Sequence, residues 1–344
     1  MKKSPTIKDI ARKAGVNIST VSRALADHPH ISEDKKKQIR KLAADLNYHR
    51  NDLAKSLRVK KTHVIGLIIP DIQNPFYPSI TRIIEDQAQE RGYNILLCHS
   101  DFDPQKENNY LSVLLSRQID GLIIFPTLKI FRNNKRGIVA GKKIPTVFLD
   151  TAPLPGIEGN YVFTDNKHGS YLAVKYLLEN GHKSIVLFTS EKGLLSSLEQ
   201  MEEGYIQAFR EAGIRVQNKC IFRGELEEKK GLERSVKKLL NKKKSINYSA
   251  IICNSDVVAR VIYEQAALVD INIPDSLSVV GYDNTFLCSY LDPPLTSVHQ
   301  PGDALGHQAI NILISQIQSE IPWQYRTVSF TPELVVRNSV KQNV

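Results

Sequence analysis

The chain is poor in the residues that build stapled or metal-held scaffolds. Its four cysteines, Cys98, Cys220, Cys253 and Cys288, are scattered through 344 residues without a CxxC pair. That spacing argues against a disulfide framework and against a zinc site, so reduced thiols and no metal are expected. Long apolar runs are missing as well: a stretch such as Val64–Pro70 is far too short to span a bilayer. Met1-Lys2-Lys3-Ser4-Pro5 starts basic but leads into no hydrophobic segment, so a cytoplasmic protein without a signal peptide is expected. No HExxH, P-loop, GxGxxG or Ser/His/Asp arrangement stands out, which sets an enzyme aside and calls for no cofactor.

Charge imbalance is also lacking over most of the chain. Residues 62–344 carry 30 basic and 30 acidic side chains, whereas the first 61 residues carry 16 and 6. The whole net charge of +10 therefore sits in a small head on a neutral body. A polyanion-binding module joined to a sensing or assembling one fits that split, and the length calls for two or three domains.

The head has helical periodicity. Thr6-Ile7-Lys8-Asp9 has the pattern of an N-cap with an acidic residue three positions on, and Ile7, Ile10, Ala11 and Ala14 share one face. Gly15-Val16 supplies a turn. Asn17 can then cap a second helix whose apolar positions are Ile18, Val21 and Leu25. Ser32 can cap a third, with Ile39, Leu42, Ala43 and Leu46 inward. Two short helices joined by a Gly-containing turn match the helix-turn-helix motif. In such a motif Ile18 and Ser19 occupy the first turn of the recognition helix, and Arg23 has a fork suited to guanine O6 and N7 in the major groove. Thr20 and Ser22 carry hydroxyls suited to phosphate oxygens. The plainer alternative is a solvated surface helix of a small bundle.

Thr6-Ile7-Lys8-Asp9-Ile10-Ala11, Ala14-Gly15-Val16, Thr20-Val21-Ser22-Arg23 and the segment Leu46–Arg58 resemble the head and hinge of the lactose/galactose (LacI/GalR) repressor family. The family's hinge reads Tyr-x-Pro-Asn-x-x-Ala-Arg-Ser-Leu, and here Arg50 stands at the proline. The resemblance implies that residues 51–61 form a hinge helix, disordered off DNA, with Leu57 wedged into the minor groove and Lys55 and Arg58 on phosphates.

From His63 onward short apolar runs alternate with amphipathic stretches. The runs are Val64–Ile69, Ile95–Cys98, Gly121–Phe125, Thr146–Leu149, Ile185–Phe188, Ala250–Cys253 and Ser278–Gly281. Helical patterns lie near 78–91, 105–117, 168–180, 199–212, 231–243 and 256–268. This alternation predicts two doubly wound α/β subdomains, with a break near Gly156–Asn160. The resemblance extends through Asn74-Pro75-Phe76-Tyr77, Asp165-Asn166, Gly281-Tyr282-Asp283-Asn284 and Pro294–Val298. It implies an all-α helix-turn-helix head (1–50) and a core (62–344) like the periplasmic sugar-binding proteins. The two Rossmann-like lobes would comprise about 62–160 with 291–322, and about 161–290 with 323–340, the chain crossing between them three times.

Ligands of open α/β sheets bind beyond the carboxyl ends of strands. Asp71, Phe76, Asp150, Ser255, Asp256 and Asp283 stand there, with acidic groups for sugar hydroxyls and a ring to stack on a sugar face. By resemblance Asp150, Ser255 and Asp283 contact an effector. Each can instead be a strand-end residue serving the backbone, and Ser255 or Asp256 can be an N-cap. Two positions depart from the family: Met201 replaces an arginine and Leu226 an aromatic, which makes the cleft wall more apolar and poorer in donors. Lys242-Lys243-Lys244 is read as a solvated helix end, and Gly181-His182 as a structural turn.

The expectation is a homodimeric transcriptional repressor of carbohydrate-type genes, binding a pseudo-palindromic double-stranded operator. A small-molecule effector, a sugar or sugar phosphate, would occupy the cleft. The alternatives are control by a phosphorylated carrier protein, as in the catabolite-control branch, or a lost inducer response. A periplasmic-type solute binder explains the body but not the basic head.

Overall fold

The computed structural model describes residues 5–48, 61–128, 144–226, 229–319, 321 and 324–342. The chain divides into two compact units, residues 1–62 and 63–344.

The first unit holds three helices, α1 (Ile7–Ala14), α2 (Ile18–Leu25) and α3 (Glu33–Asp45). At the start of α1 the Thr6 amide and hydroxyl donate to Asp9 Oδ2 at 2.9 and 2.7 Å. Gly15 ends the helix at φ 64°, a left-handed turn that costs glycine nothing. Asn17 and Ser32 occupy N-cap positions with extended backbone, but neither side chain makes a cap bond. The core is Ile10, Ala11, Val21, Ala24, Ile39 and Ala43, with Leu25, Leu42 and Leu46 packed at its edge. Lys36 is buried, its ammonium 2.7 Å from Glu33 one turn back on α3, and 3.1 Å from Asp27, a contact that carries no sequence signal. Arg40 adds a second cation to Asp27 at 2.7 Å.

The second unit contains two six-stranded sheets. The first lobe uses β1 (Val64–Ile69), β2 (Asn94–His99), β3 (Gly121–Ile124), β4 (Thr146–Leu149), β5 (Asn160–Thr164) and β11 (Thr327–Phe330). They run in the order β11-β5-β4-β3-β1-β2, all parallel. The second lobe uses β6 (Ile185–Thr189), β7 (Ile221–Arg223), β8 (Ala250–Cys253), β9 (Ser278–Asp283), β10 (Thr296–His299) and β12 (Glu333–Val335). Their order is β12-β10-β9-β8-β6-β7, with only β12 antiparallel. Helices α4 (Phe76–Glu90), α5 (Pro104–Ser116) and α12 (Gly302–Gln318) pack on the first sheet. The second sheet carries α6 (Asn166–Glu179), α7 (Ser196–Glu211), α8 (Lys229–Asn241) and α10 (Asp256–Ala267), with the short α9 (Lys243–Ile246) and α11 (Leu287–Tyr290) between strands. The inner parallel strands are buried on both faces, which is why most read as unbroken apolar runs, while the edge strands β2, β7 and β11 are partly exposed.

The lobe limits differ from those expected. Residues 160–164 pair with β4 and belong to the first lobe, so the chain crosses after Thr164. Residues 296–299 pair with β9, so the return begins only with Gly302. Residues 327–330 pair with β5, so the last crossing falls between Phe330 and Glu333. These strands escape a reading by periodicity because buried polar residues punctuate them. Asn160 Nδ2 donates to Thr146 O and to Gln316 Oε1, both at 2.9 Å. Ser297 Oγ donates to Asp256 Oδ1 at 2.7 Å.

His182 is structural, its ring nitrogens 2.8 Å from Ser249 Oγ and 3.0 Å from Ser278 Oγ. In the lysine run Lys242 is exposed and lies over the Phe222 ring, and half-buried Lys243 lies over that of Tyr248. Cys220, Cys253 and Cys288 are buried free thiols and Cys98 is half-buried.

Candidate functional site

Two surfaces concern function. On the head, α2 turns Val21 and Ala24 inward, so the opposite face of a 3.6-residue helix looks out. Ile18, Ser19 and Arg23 are exposed there, and Thr20 and Ser22 are half-exposed beside them. Ile18, a large aliphatic at 44% exposure, is not part of the head's core as its apolar character suggested. Lys55, Leu57 and Arg58, with Arg50, lie outside the described residues.

In the body, the strand ends of the two lobes enclose a cleft of about 640 Å³, its solvent-open mouth included. Asp71, Phe76, Asp150, Met201, Leu226, Ser255 and Asp283 all line it. Asp71 follows β1 and its Oδ1 accepts from the Gln73 amide at 2.7 Å. Asn74 Oδ1 accepts from the Phe76 amide at 3.1 Å, which starts α4 and turns the Phe76 ring inward. Ser255 does two things: it lines the cleft while its Oγ accepts from the Val258 amide at 3.3 Å, capping α10. Met201, only 2% exposed, packs into the second lobe's core with Leu198 and Tyr205.

Asp283 anchors the far wall. Its Oδ1 accepts from Gln300 Nε2 at 2.8 Å, and its Oδ2 from Asn74 Nδ2 at 3.5 Å. Asn74 belongs to the first lobe, so that weak bond spans the cleft. The backbone turns sharply at these positions: φ is 54° at Asp150, 99° at Asp283 and 52° at Asn284. Such values are strained for residues with a side chain and persist only where the surroundings impose them. Asp256 does so here, accepting from the Thr285 amide at 2.6 Å and the Thr285 hydroxyl at 3.0 Å as well as from Ser297. Asp256 thus supports the turn instead of facing a ligand.

Burial pushes the Asp150 carboxyl up to about 7, against the Asn166 amide that draws it down. Asp283 is pushed well above the ordinary carboxylate range, first by burial and then by the charge of Asp256. Several cleft residues had escaped sequence reading: Asn74, Asn166, Asn254, Tyr282 and Gln300. Asn254 stood at a recognised strand end, but Gln300 follows β10, a strand with no apolar run to announce it.

Among the described residues, no three or more His, Cys, Asp or Glu side chains are placed to hold a metal ion. None of the described helices is long and apolar enough to cross a membrane.

Comparison with known proteins bears on both surfaces. The profile of the bacterial regulatory proteins, lacI family, matches residues 6–51, and that of the periplasmic binding protein-like domain matches residues 174–340. The transcriptional repressor PurR of Actinobacillus pleuropneumoniae serotype 3 is 32% identical over 337 residues, covering 98% of each chain. The ribose operon repressor of Escherichia coli K12 is 32% identical over 334 residues, 97% of this chain and 99% of that one. Among solved structures, the lac repressor dimer bound to operator superposes with a TM-score of 0.82 at 22% identity, over 98% of this chain and 99% of that one. A LacI family regulator from Enterococcus faecium with bound ribose gives 0.70 at 26%, over 81% and 99%.

Proposed function

This chain belongs to the lacI family of bacterial regulatory proteins and is a DNA-binding transcriptional regulator, not an enzyme; from that premise we propose that it is a homodimeric repressor released or recruited by a small molecule in the cleft. The observation that carries the reading is the pairing of an exposed Ile18/Ser19/Arg23 face on a basic head with a cleft lined by strand-end polar groups. Ser19 and Arg23 are one helical turn apart and reach base edges together, Ile18 offers apolar contact, and Thr20 and Ser22 take phosphates. The hinge at 51–61 supplies the minor-groove contact through Leu57, with Lys55 and Arg58 on the backbone. The two lobes are joined by three strands, so closure on a ligand rotates one against the other and alters the spacing of two heads. The protein acts in the cytoplasm, where its operator is.

Dimerisation follows from specificity, since one short recognition helix makes too few contacts and two-fold pairing doubles them. Leu96 and Leu97 on β2 are exposed large hydrophobics, as is Val113 on α5, and a second copy of this chain covers them. Leu97→Glu is expected to shift sedimentation toward monomer and weaken operator binding; an unchanged dimer would exclude that face.

The test of the DNA reading is selection of genomic fragments by the full chain at physiological salt. A palindromic consensus is expected. Arg23→Ala should relax one symmetric position and cost about 1–3 kcal/mol per half-site. Loss of affinity spread evenly over all sequences would instead make Arg23 a phosphate contact.

A further inference from the structure

We propose that the ligand of this cleft is a hydroxylated amine, its ammonium group held among Asp71, Asp150 and Asp283. The proposal rests on the effector reading of the cleft and names the class of effector. All three carboxyls line the cleft, and their negative charge adds to burial in pushing the Tyr77 hydroxyl of the same wall upward. None of the three forms an ion pair among the described residues. No Lys, Arg or His is among the described residues that line the cleft. Met201 places a thioether in its wall, so no guanidinium offsets the acids from there.

The hydrogen-bonding capacity left open points the same way. Gln300 is 5% exposed; its Nε2 donates one bond to Asp283, and its Oε1 is buried with no partner. Asn166, at 1% exposure, has both its Oδ1 and its Nδ2 unpartnered, an acceptor and a donor that a hydroxyl can serve together. Asp150 Oδ1 and Asn254 Oδ1 are likewise buried and unpartnered. A buried acceptor without a donor costs about 1–3 kcal/mol, so a fitting ligand brings several donors.

Charge decides between the donor-rich candidates. A phosphorylated sugar would bring negative charge against three carboxylates. A neutral polyol would fill the acceptors but bring no counter-charge, so burial would keep Asp150 and Asp283 in their raised range, whereas a cation lets them ionise. A bare metal ion finds no group of ligands close enough to chelate it. An ammonium on a hydroxylated frame satisfies both demands: it donates three bonds as a charged group, and its hydroxyls serve the amide oxygens.

Isothermal titration of the full chain with matched pairs tests this: glucosamine and glucose, galactosamine and galactose, glucamine and sorbitol, with glucose 6-phosphate as the anionic probe. In at least one pair the amine is expected to bind about tenfold tighter than its hydroxyl counterpart, a difference of about 1.4 kcal/mol. Asp150→Asn should bring that ratio close to one with its melting transition retained. Asp71→Asn, at a half-exposed position, provides a second variant should the first fail to fold. Equal or tighter binding of the neutral partner, or of glucose 6-phosphate, would overturn the amine class and leave the effector reading standing. Binding of no member at any concentration up to solubility would overturn both.

Discussion

Gly204→Ala is expected to destabilise the core by about 2 kcal/mol, although alanine is the better helix former. In the middle of α7, a Cβ on residue 204 would lie 1.9 Å from the Lys167 carbonyl oxygen and 2.8 Å from its carbon, both backbone atoms of α6. Backbone cannot swing aside as a side chain can, so the two helices must part. The propensity gain of about 1 kcal/mol is outweighed by overpacking, which costs roughly 1–3 kcal/mol and occasionally more. The movement also reaches the cleft, because α7 carries Ser197, Leu198 and Met201 along one wall. Urea unfolding followed by circular dichroism should show a lower midpoint with an unchanged slope. An unchanged midpoint would mean that the α6–α7 contact is not held in solution.

Stability is also expected to fall as pH rises from 5 to 8, with Glu107 one cause and the raised Asp150 and Asp283 acting in the same direction. Glu107 sits on α5 with no exposed surface, and burial pushes its carboxyl up to about 8 despite hydrogen bonds from Thr127. The Thr127 amide points at both carboxyl oxygens, 3.1 Å from Oε2 and 3.4 Å from Oε1. The folded chain keeps this proton to about pH 8, while the unfolded chain releases it near 4.5. Between those values the native state binds more protons, so raising the pH removes stability, by at most about 1.4 kcal/mol per unit for one group. Over pH 5–8 this amounts to roughly 3 kcal/mol. Asp150 adds in the same direction between 3.8 and about 7. Glu107→Gln keeps an acceptor for Thr127 and removes the titration, so its urea midpoint should vary less with pH and exceed the parent's at pH 8. Parallel pH profiles for the two proteins would remove Glu107 from this role. The site matters to the cleft as well: next to Thr127, the Leu128 amide donates to Leu194 O of the other lobe at 3.0 Å.

The head was legible almost residue by residue, because each of its helices is amphipathic on a local repeat and begins or ends at a recognisable residue. Even so, the Lys36 contact with Asp27 could not be read, since an i,i+9 approach depends on how the turn after α2 packs on α3. In the body, the buried parallel strands β1, β3, β4, β6, β8 and β9 were visible as apolar runs. The edge strands β11 and β12, and the polar-buried β5 and β10, were not. Seven strand-end and wall residues singled out from the chain do line one cleft. Asp256 had been grouped with them and instead holds up the turn behind Asp283.

The sequence by itself determined the segregation of charge, the three-helix head, the strand–helix alternation and the placing of carboxylates at strand ends. All of these are properties of neighbours along the chain, where burial leaves a period of 2 or 3.6 residues. Only the tertiary structure decided which strands each lobe owns, that Asn74 and Gln300 meet at Asp283, and that three aspartates line one cleft with no cation among its described lining residues. The Asn74–Asp283 bond joins residues 209 positions apart, and Asn160 and Gln316 are separated by 156. Polar groups buried in this way find their partners only when distant segments fold together, so they leave no local pattern to read.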